Sequence, residues 1–359
     1  MNCRTLVSSC LAGALLVPST QASAHEAWLL TPKQMIELAK QPLPELFTSL
    51  WPAAAFVAAF VCIVSIMVVF EERWLAFEDQ TFRPLVSRAE DWGPLVVRLG
   101  LAIMLFTAAT GLLPLHGTPV GAKPTLFVPD MQLTLIDPFW GCLIQAQIIA
   151  AALLAFGVAT RLAALCVIAM SVIGFATFGE PFANYGFHFI APAVFILGGG
   201  AGRFSMMHLL APSMTTFTGN WPSVPTLTYR VVLFMVGSTF AYLGITCKMM
   251  QPTLLIAILK HGDFPTLGLS YEFVALIMGL VEITAGLLLA AGLLVRPIAL
   301  LLIGAFTFFA LVLGETPFLH ANLYALAVLF LLIGRSIPGP NAIVMKHAHR
   351  GALPLPTAT

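Results

Sequence analysis

The chain has 359 residues, of which 59% are hydrophobic and only 9% are charged. Soluble domains carry about 25% charged residues, so this composition excludes an ordinary soluble domain and predicts an integral membrane protein. The formal net charge of +1 shows no basic excess that would favour nucleic acid as a partner.

The first 24 residues have the features of a cleavable secretory signal peptide. Arg4 supplies the positive start, an apolar stretch runs from Leu6 to Val17, and Ala22-Ser23-Ala24 fits the small-x-small cleavage rule. An uncleaved helix is the alternative, although the apolar stretch is short for a membrane span. Cleavage would expose His25, whose amino group and ring nitrogen could bind a metal such as copper; a simple interfacial anchor is the other interpretation of this segment.

Later stretches of the chain are long and apolar enough to predict about nine membrane-spanning helices. They lie near residues 50–70, 95–115, 139–159, 162–178, 184–201, 229–247, 272–293, 297–314 and 318–334. With a periplasmic mature N-terminus, every arginine outside the signal peptide falls on the cytoplasmic side, as the positive-inside rule requires. We therefore expect a multi-pass protein of the bacterial inner membrane, with the C-terminus in the cytoplasm.

Two of the apolar stretches, which begin near Phe139 and Phe273, match each other at a constant offset. The matched pairs are Gly157 with Gly292, Arg161 with Arg296, Gly179 with Gly314, and Glu180 with Glu315. Each copy contains four predicted spans, and an even number gives both copies the same orientation, as in parallel membrane repeats.

The repeat predicts an all-α membrane protein with two tandem four-helix units and one additional N-terminal span. The predicted segments are a signal peptide (1–24), an N-terminal segment with one span and a charged cytoplasmic link (25–94), the first repeat (95–203), a linker (204–228), the second repeat (229–336) and a cytoplasmic tail (337–359).

A sequence pattern in the second repeat resembles that of DoxX-like (DoxX/DoxD) integral membrane proteins. The matching residues are Arg230, Gly244, Lys248, Glu282, Gly286, Gly292, Arg296, Gly334 and Ser336. The first repeat retains the corresponding Arg98, Gly157, Arg161 and Gly202. It departs from the pattern at Gln147, which replaces the carboxylate of Glu282, and at Gly111, which has no lysine nearby.

The resemblance implies a helical-bundle fold and a quinone as the candidate cofactor. Some relatives are subunits of quinone-linked oxidoreductases, including thiosulfate:quinone oxidoreductase, while others have no established role or assist partner proteins. No haem, flavin or iron–sulfur motif is visible in this chain. A redox role would therefore require a partner subunit in the membrane or periplasm to supply electrons, and whether the chain takes part in catalysis stays open.

Glu282 is the first candidate catalytic and cofactor-binding residue, because it lies about ten residues, or roughly 15 Å, inside its predicted helix. An ionised carboxylate at this depth costs about 2.5–3.5 kcal/mol. It could exchange protons with a quinone, or it could simply bond to a neighbouring helix. Gln147 and Arg296 are the other cofactor-binding candidates, although Arg296 is far enough along the helix to be a cytoplasmic topology anchor instead.

Glu315, His320 and Lys248 are three further candidates for proton chemistry, and they are predicted near the outer ends of the helices. Glu315 and His320 could relay protons or bind a metal, or they could cap helix ends. Glu180 and His188 occupy a similar arrangement in the first repeat. Lys248 could attract an anion or a quinone carbonyl, or its side chain could extend to the interface.

Three functions are compatible with these features. The first is a quinone-interacting subunit of a membrane oxidoreductase. The second is a non-catalytic scaffold or assembly factor for a periplasmic metalloprotein, which the additional first span and His25 would suit. The third is a small-solute transporter with its binding site at the repeat interface.

Overall fold

The computed structural model describes residues 30–38, 40–46, 50–113, 123–133, 137–210 and 226–335. The predicted signal peptide, His25, the C-terminal tail and residues 211–225 of the linker lie outside the described residues. The described ranges are helical and contain no strand apart from an isolated antiparallel bridge between Thr125 and Gln132. The predicted all-α fold is confirmed for this part of the chain.

The described part contains twelve α-helices. They are α1 (Pro32–Leu38), α2 (Leu50–Val69), α3 (Glu71–Ala109), α4 (Pro138–Phe156), α5 (Thr160–Phe178), α6 (Glu180–Gly199), α7 (Met206–Leu210), α8 (Thr226–Leu243), α9 (Pro252–His261), α10 (Tyr271–Ala291), α11 (Val295–Leu313) and α12 (Ala321–Ile333). A π-helix at Gly244–Met250 extends α8, and a 3-10 helix at Pro317–His320 precedes α12.

Eight helices of the described residues are long and apolar enough to cross a membrane. They comprise α2, the second half of α3, α4, α5, α6, α8 with its π-helical extension, α10 and α11. This supports a multi-pass membrane protein, as the composition predicted. The ninth predicted span falls on Pro317–Ile333, which is apolar but shorter than the others.

The predicted charged link is part of a membrane helix rather than a separate segment. Helix α3 runs without interruption for 39 residues, from Glu71 to Ala109, and its apolar window is Trp92–Ala109. The predicted span at 95–115 therefore extends too far. The helix stops because Gly111 adopts a φ of 70°, a left-handed conformation that glycine tolerates and that terminates helices.

The long helices form two bundles that pack against each other. The first bundle comprises α3, α4, α5 and α6, and the second comprises α8, α10, α11 and α12. The last helix of each bundle packs on the first helix of the other, α12 along α3 and α6 against α8. One buried apolar core, which includes Leu105, Phe195 and Phe330, therefore runs through both bundles.

Small residues allow the closest helix crossings. A Cβ atom on Gly100 of α3 would lie 2.4 Å from the Cβ of Ala325 on α12. A Cβ on Gly237 of α8 would lie 2.3 Å from the backbone nitrogen of Ala290 on α10. Such contacts are typical of membrane helices, which associate through close backbone packing rather than through the hydrophobic effect.

Candidate functional site

A cavity of about 130 Å³ lies inside the second bundle. Helices α6, α8, α10, α11 and α12 and both short non-α helices contribute to its wall. The polar residues of the wall are His188, Lys248, Glu282 and His320, and its aromatic residues are Phe240, Phe306 and Phe309. Met278, Ala285, Leu302, Ala305 and Leu323 complete most of the apolar lining. The cavity thus combines an apolar interior with a few ionisable groups.

An ion pair between Lys248 and Glu282 forms one side of the cavity. The Lys248 Nζ atom lies 2.7 Å from Glu282 Oε2, and the two side chains are only 11% and 15% exposed. Lys248 belongs to the π-helix Gly244–Met250, which is packed against α10. π-Helical segments within α-helices occur frequently at functional sites. The lysine therefore turns inward to the carboxylate, rather than extending to the membrane interface.

A second polar pair joins His320, which lines the cavity, to Glu315 behind it. The His320 Nε2 and Glu315 Oε2 atoms are 3.3 Å apart, with side-chain exposures of 11% and 4%. The imidazole ring of His320 also stacks on Phe306, with a centroid distance of 4.9 Å and an interplanar angle of 16°. These contacts hold the imidazole ring in a defined orientation at the cavity.

His188, which belongs to α6 of the first bundle, also lines this cavity. Its imidazole centroid lies 5.2 Å from that of Phe240, and its backbone carbonyl accepts a 2.8 Å hydrogen bond from the Asn322 side chain. The two histidines that the sequence analysis placed near the outer ends of separate repeats therefore line one cavity. Glu180, by contrast, is exposed and does not line it.

The spacing between α10 and α11 explains why the cavity exists. These two helices share few contacts, whereas the corresponding α4 and α5 of the first bundle pack closely. Leu301 of α11 lies in the cavity wall and is 45% exposed on the outside of the bundle. This part of α11 belongs to one of the spans that are long and apolar enough to cross a membrane. The cavity therefore lies beside a helix whose outer side is exposed.

Gln147, which the sequence aligns with Glu282, has a different role in the first bundle. It is fully buried, and its side chain binds the backbone of the connection between α3 and α4. Its Oε1 accepts a hydrogen bond from the Phe127 nitrogen at 3.2 Å, and its Nε2 donates to the Thr125 carbonyl at 3.1 Å. Gln147 therefore holds a loop inside the bundle and is not exposed to a ligand.

Aromatic rings fill the interior of the first bundle. Phe127 is fully buried and lies 4.5 Å from Phe189 between ring centroids, in a stacked arrangement, and 6.1 Å from Phe182. Phe182 in turn covers Gly174, where an added Cβ would lie 2.5 Å from its ring. The backbone of Phe127 has a φ of 67°, which is unfavourable for a residue with a side chain. The two hydrogen bonds of Gln147 offset this cost.

Arg296 lies at the opposite end of the second bundle from the cavity. Its Nη1 atom is 2.9 Å from Glu78 Oε2, and both side chains are only 3% exposed. Its guanidinium also donates to the carbonyls of Leu331 and Ile333. The structure therefore places this predicted cofactor-binding residue in the packing of α3 against the second bundle, and not beside Glu282.

The structure brings four predicted site residues together and separates two others. Glu282, Lys248, His320 and Glu315 form the two polar pairs at the cavity, whereas Gln147 and Arg296 serve other contacts. The sequence analysis missed Glu71 and Glu78 of α3. Glu71 Oε1 accepts a 2.8 Å hydrogen bond from the Leu294 nitrogen, at the start of α11. Glu71 and Glu78 are seven residues apart, which is two helical turns, so they lie on the same face of α3. This spacing could have indicated a pair of buried carboxylates.

No group of three or more histidine, cysteine, aspartate or glutamate side chains within the described ranges is arranged to hold a metal ion. The fold and the cavity define the class of this protein as an all-helical, multi-pass membrane protein with ionisable groups inside a bundle. No protein-family model, curated protein or solved structure matches the chain.

Proposed function

We propose that the cavity of the second bundle binds the head group of a membrane-soluble quinone. The chain would then be a quinone-interacting subunit of an oxidoreductase, with a partner subunit supplying or receiving the electrons. The observation that carries this proposal is the placement of Lys248–Glu282 and His320–Glu315 at one largely apolar cavity between candidate membrane spans.

The size of the cavity supports a ligand with a single ring. Engineered apolar cavities of about 150 Å³ bind benzene, so about 130 Å³ accommodates one six-membered ring. The isoprenoid tail of a quinone would pass between α10 and α11 near Leu301 into the bilayer.

The polar groups of the cavity suit the chemistry of quinone carbonyls. Reduction of a quinone to a hydroquinone adds two electrons and two protons, and each carbonyl oxygen becomes a hydroxyl. Lys248 can donate a hydrogen bond to a carbonyl oxygen, while Glu282 and His320 can accept or release a proton. The aromatic faces of Phe306 and Phe240 would contact the ring.

The proposal extends to the family, location and organisation of the whole chain. We infer that the chain is a DoxX-like protein of the bacterial inner membrane, with a cleaved signal peptide and two parallel repeats. Supporting features are the similar turns between α4 and α5 and between α10 and α11. Gly157 and Gly292 have φ values of 70° and 73°, and Ala159 and Leu294 follow with φ values of 45° and 49°.

The proposal is tested by the quinone content of the protein purified in mild detergent, measured by solvent extraction and chromatography. We expect near-stoichiometric quinone in the wild type and a marked loss in Glu282→Gln. Glu272→Gln is the matched control, because Glu272 lies on the same helix and pairs with Lys260 outside the cavity, at 3.7 Å.

A second variant reduces the volume of the cavity without changing any charge. Ala305→Leu would fill part of the space, and we expect it to reduce bound quinone while leaving the Lys248–Glu282 and His320–Glu315 contacts in place. Quinone at the level of co-purified lipid in the wild type would overturn the proposal and favour a scaffold role. Equal quinone in the wild type and both cavity variants would show that the molecule binds elsewhere.

A further inference from the structure

We infer that protons reach the cavity from one face of the membrane only, through Glu315 and His320. That face, called the outer face below, is the one at which α11 ends and α10 begins, and it is periplasmic under the predicted topology. The inference rests on the proposed function, since it names the route by which protons would enter or leave a bound quinone.

Glu315 is placed between the membrane surface and the bundle interior. It lies in the connection between α11 and the 3-10 helix, where the neighbouring Gly314 and Pro317 are exposed. Its carboxylate nevertheless turns inward and leaves the residue only 8% exposed. One oxygen, Oε2, contacts His320, while the other, Oε1, is buried and has no hydrogen-bond partner among the described residues. Glu315 therefore retains an acceptor position next to the surface.

His320 connects this carboxylate to the cavity. Its Nε2 atom contacts Glu315, and the same ring lines the space that Lys248 and Glu282 also line. An imidazole has two ring nitrogens and can take a proton at one while it releases a proton from the other. The ionisable groups in the wall with Glu282 are Lys248 from the π-helix, His188 from α6 and His320 from the 3-10 helix, while α11 and α12 contribute apolar groups.

Within the described residues, the opposite direction offers no comparable path. From Glu282 to the end of α10 the chain continues for about nine residues, roughly 13 Å, without an ionisable side chain. Helix α8 packs directly on this segment, with Gly237 against Ala290 and Ala241 against Gly286. The next ionisable groups are Glu71, which accepts a hydrogen bond from the Leu294 nitrogen, and Arg296 and Glu78, which are paired with each other. A proton moving to this inner face would have to cross a closely packed apolar layer.

Sided labelling of Glu282 with dicyclohexylcarbodiimide tests the route. This lipid-soluble reagent reacts with a protonated carboxyl group, and mass spectrometry locates the adduct. Right-side-out and inverted membrane vesicles allow the pH of each side to be set separately. Labelling of Leu267→Cys with a membrane-impermeant maleimide identifies the outer face, because Leu267 is 95% exposed and precedes α10.

We expect acidification of the outer face by one pH unit to raise Glu282 labelling by up to about tenfold, since the protonated fraction of an ionised carboxyl follows the proton concentration. Acidification of the inner face should leave labelling unchanged. In Glu315→Gln and in His320→Gln the response to outer pH should be lost. In Glu78→Gln, an equally buried carboxylate at the other end of the bundle, the response should persist.

A response to inner pH in the wild type would overturn the inference, as would an unchanged outer response in both Glu315→Gln and His320→Gln. The labelling reports protonation of Glu282 without any quinone. Loss of quinone binding with a one-sided pH response would therefore reject the proposed function and keep the proton route. The reverse combination would reject the route alone.

Discussion

The Nζ atom of Lys248 lies 2.7 Å from Oε2 of Glu282, at the wall of a largely apolar cavity in the second bundle. Each partner makes the burial of the other tolerable, because an unpaired charge in hydrocarbon is expensive. The pair also carries its two side chains to the wall of a cavity, where His320 is already held by Glu315 and Phe306. Stability and the proposed chemistry therefore depend on the same two residues.

Breaking this ion pair from either side should destabilise the protein more than removing both charges. Loss of one partner from a buried pair costs about 3–5 kcal/mol, because the remaining charge has no compensation. We expect Lys248→Met and Glu282→Leu each to lower the unfolding midpoint in detergent, and the double variant to recover part of the loss. Additive losses in the double variant would show that the two charges are not coupled.

Phe127 should be a major contributor to the stability of the first bundle. Its ring is fully buried against Phe189, so Phe127→Ala would leave a cavity and cost about 3–5 kcal/mol. Thermal unfolding in detergent measures the effect. Phe139→Ala is the control, because Phe139 is 48% exposed near the start of α4. An equal, small effect of both substitutions would contradict the proposed packing.

The crossing of α3 and α12 should depend on the absence of a side chain at Gly100. A Cβ there would lie 2.4 Å from Ala325 Cβ and 2.5 Å from the Ala321 carbonyl oxygen, so Gly100→Ala must move the helices apart. Overpacking of this kind costs about 1–3 kcal/mol. Gly304→Ala is the matched control, since nothing beyond its chain neighbours and its own helix backbone lies within 4 Å of its Cβ position. We expect a lower unfolding midpoint for Gly100→Ala alone.

Two of the carboxylate–arginine pairs of α3, Glu78–Arg296 and Glu72–Arg335, should differ in strength. Glu78 pairs with Arg296 with both side chains 3% exposed, whereas the Glu72 side chain in the pair with Arg335 is 83% exposed. Glu78→Gln should therefore destabilise by about 3–5 kcal/mol, as expected for a buried pair. Glu72→Gln should change stability by about 0–1 kcal/mol. Unfolding in detergent at low and high salt would distinguish them, because salt screens the exposed pair only.

Local sequence patterns were sufficient for several features of the fold. The scarcity of charge and the length of the apolar stretches predicted a helical membrane protein, because each span must satisfy its own backbone hydrogen bonds in lipid. The same patterns located the candidates Glu282, Lys248, His320 and Glu315, since ionisable residues are conspicuous in apolar stretches. The sequence also matched Gly157 with Gly292, and in the structure both take up the left-handed backbone conformation that glycine tolerates.

Tertiary packing alone determined which contacts these residues make. Gln147 and Glu282 occupy matching sequence positions, yet one binds a buried loop and the other faces a cavity. Arg296 meets Glu78 across more than 200 residues of chain, and His188 reaches the cavity of the other bundle. Such relationships depend on how far apart two helices settle and which loop fills the space between them. Those distances result from the packing of all side chains together, so the sequence specified the candidate groups and the three-dimensional arrangement selected among them.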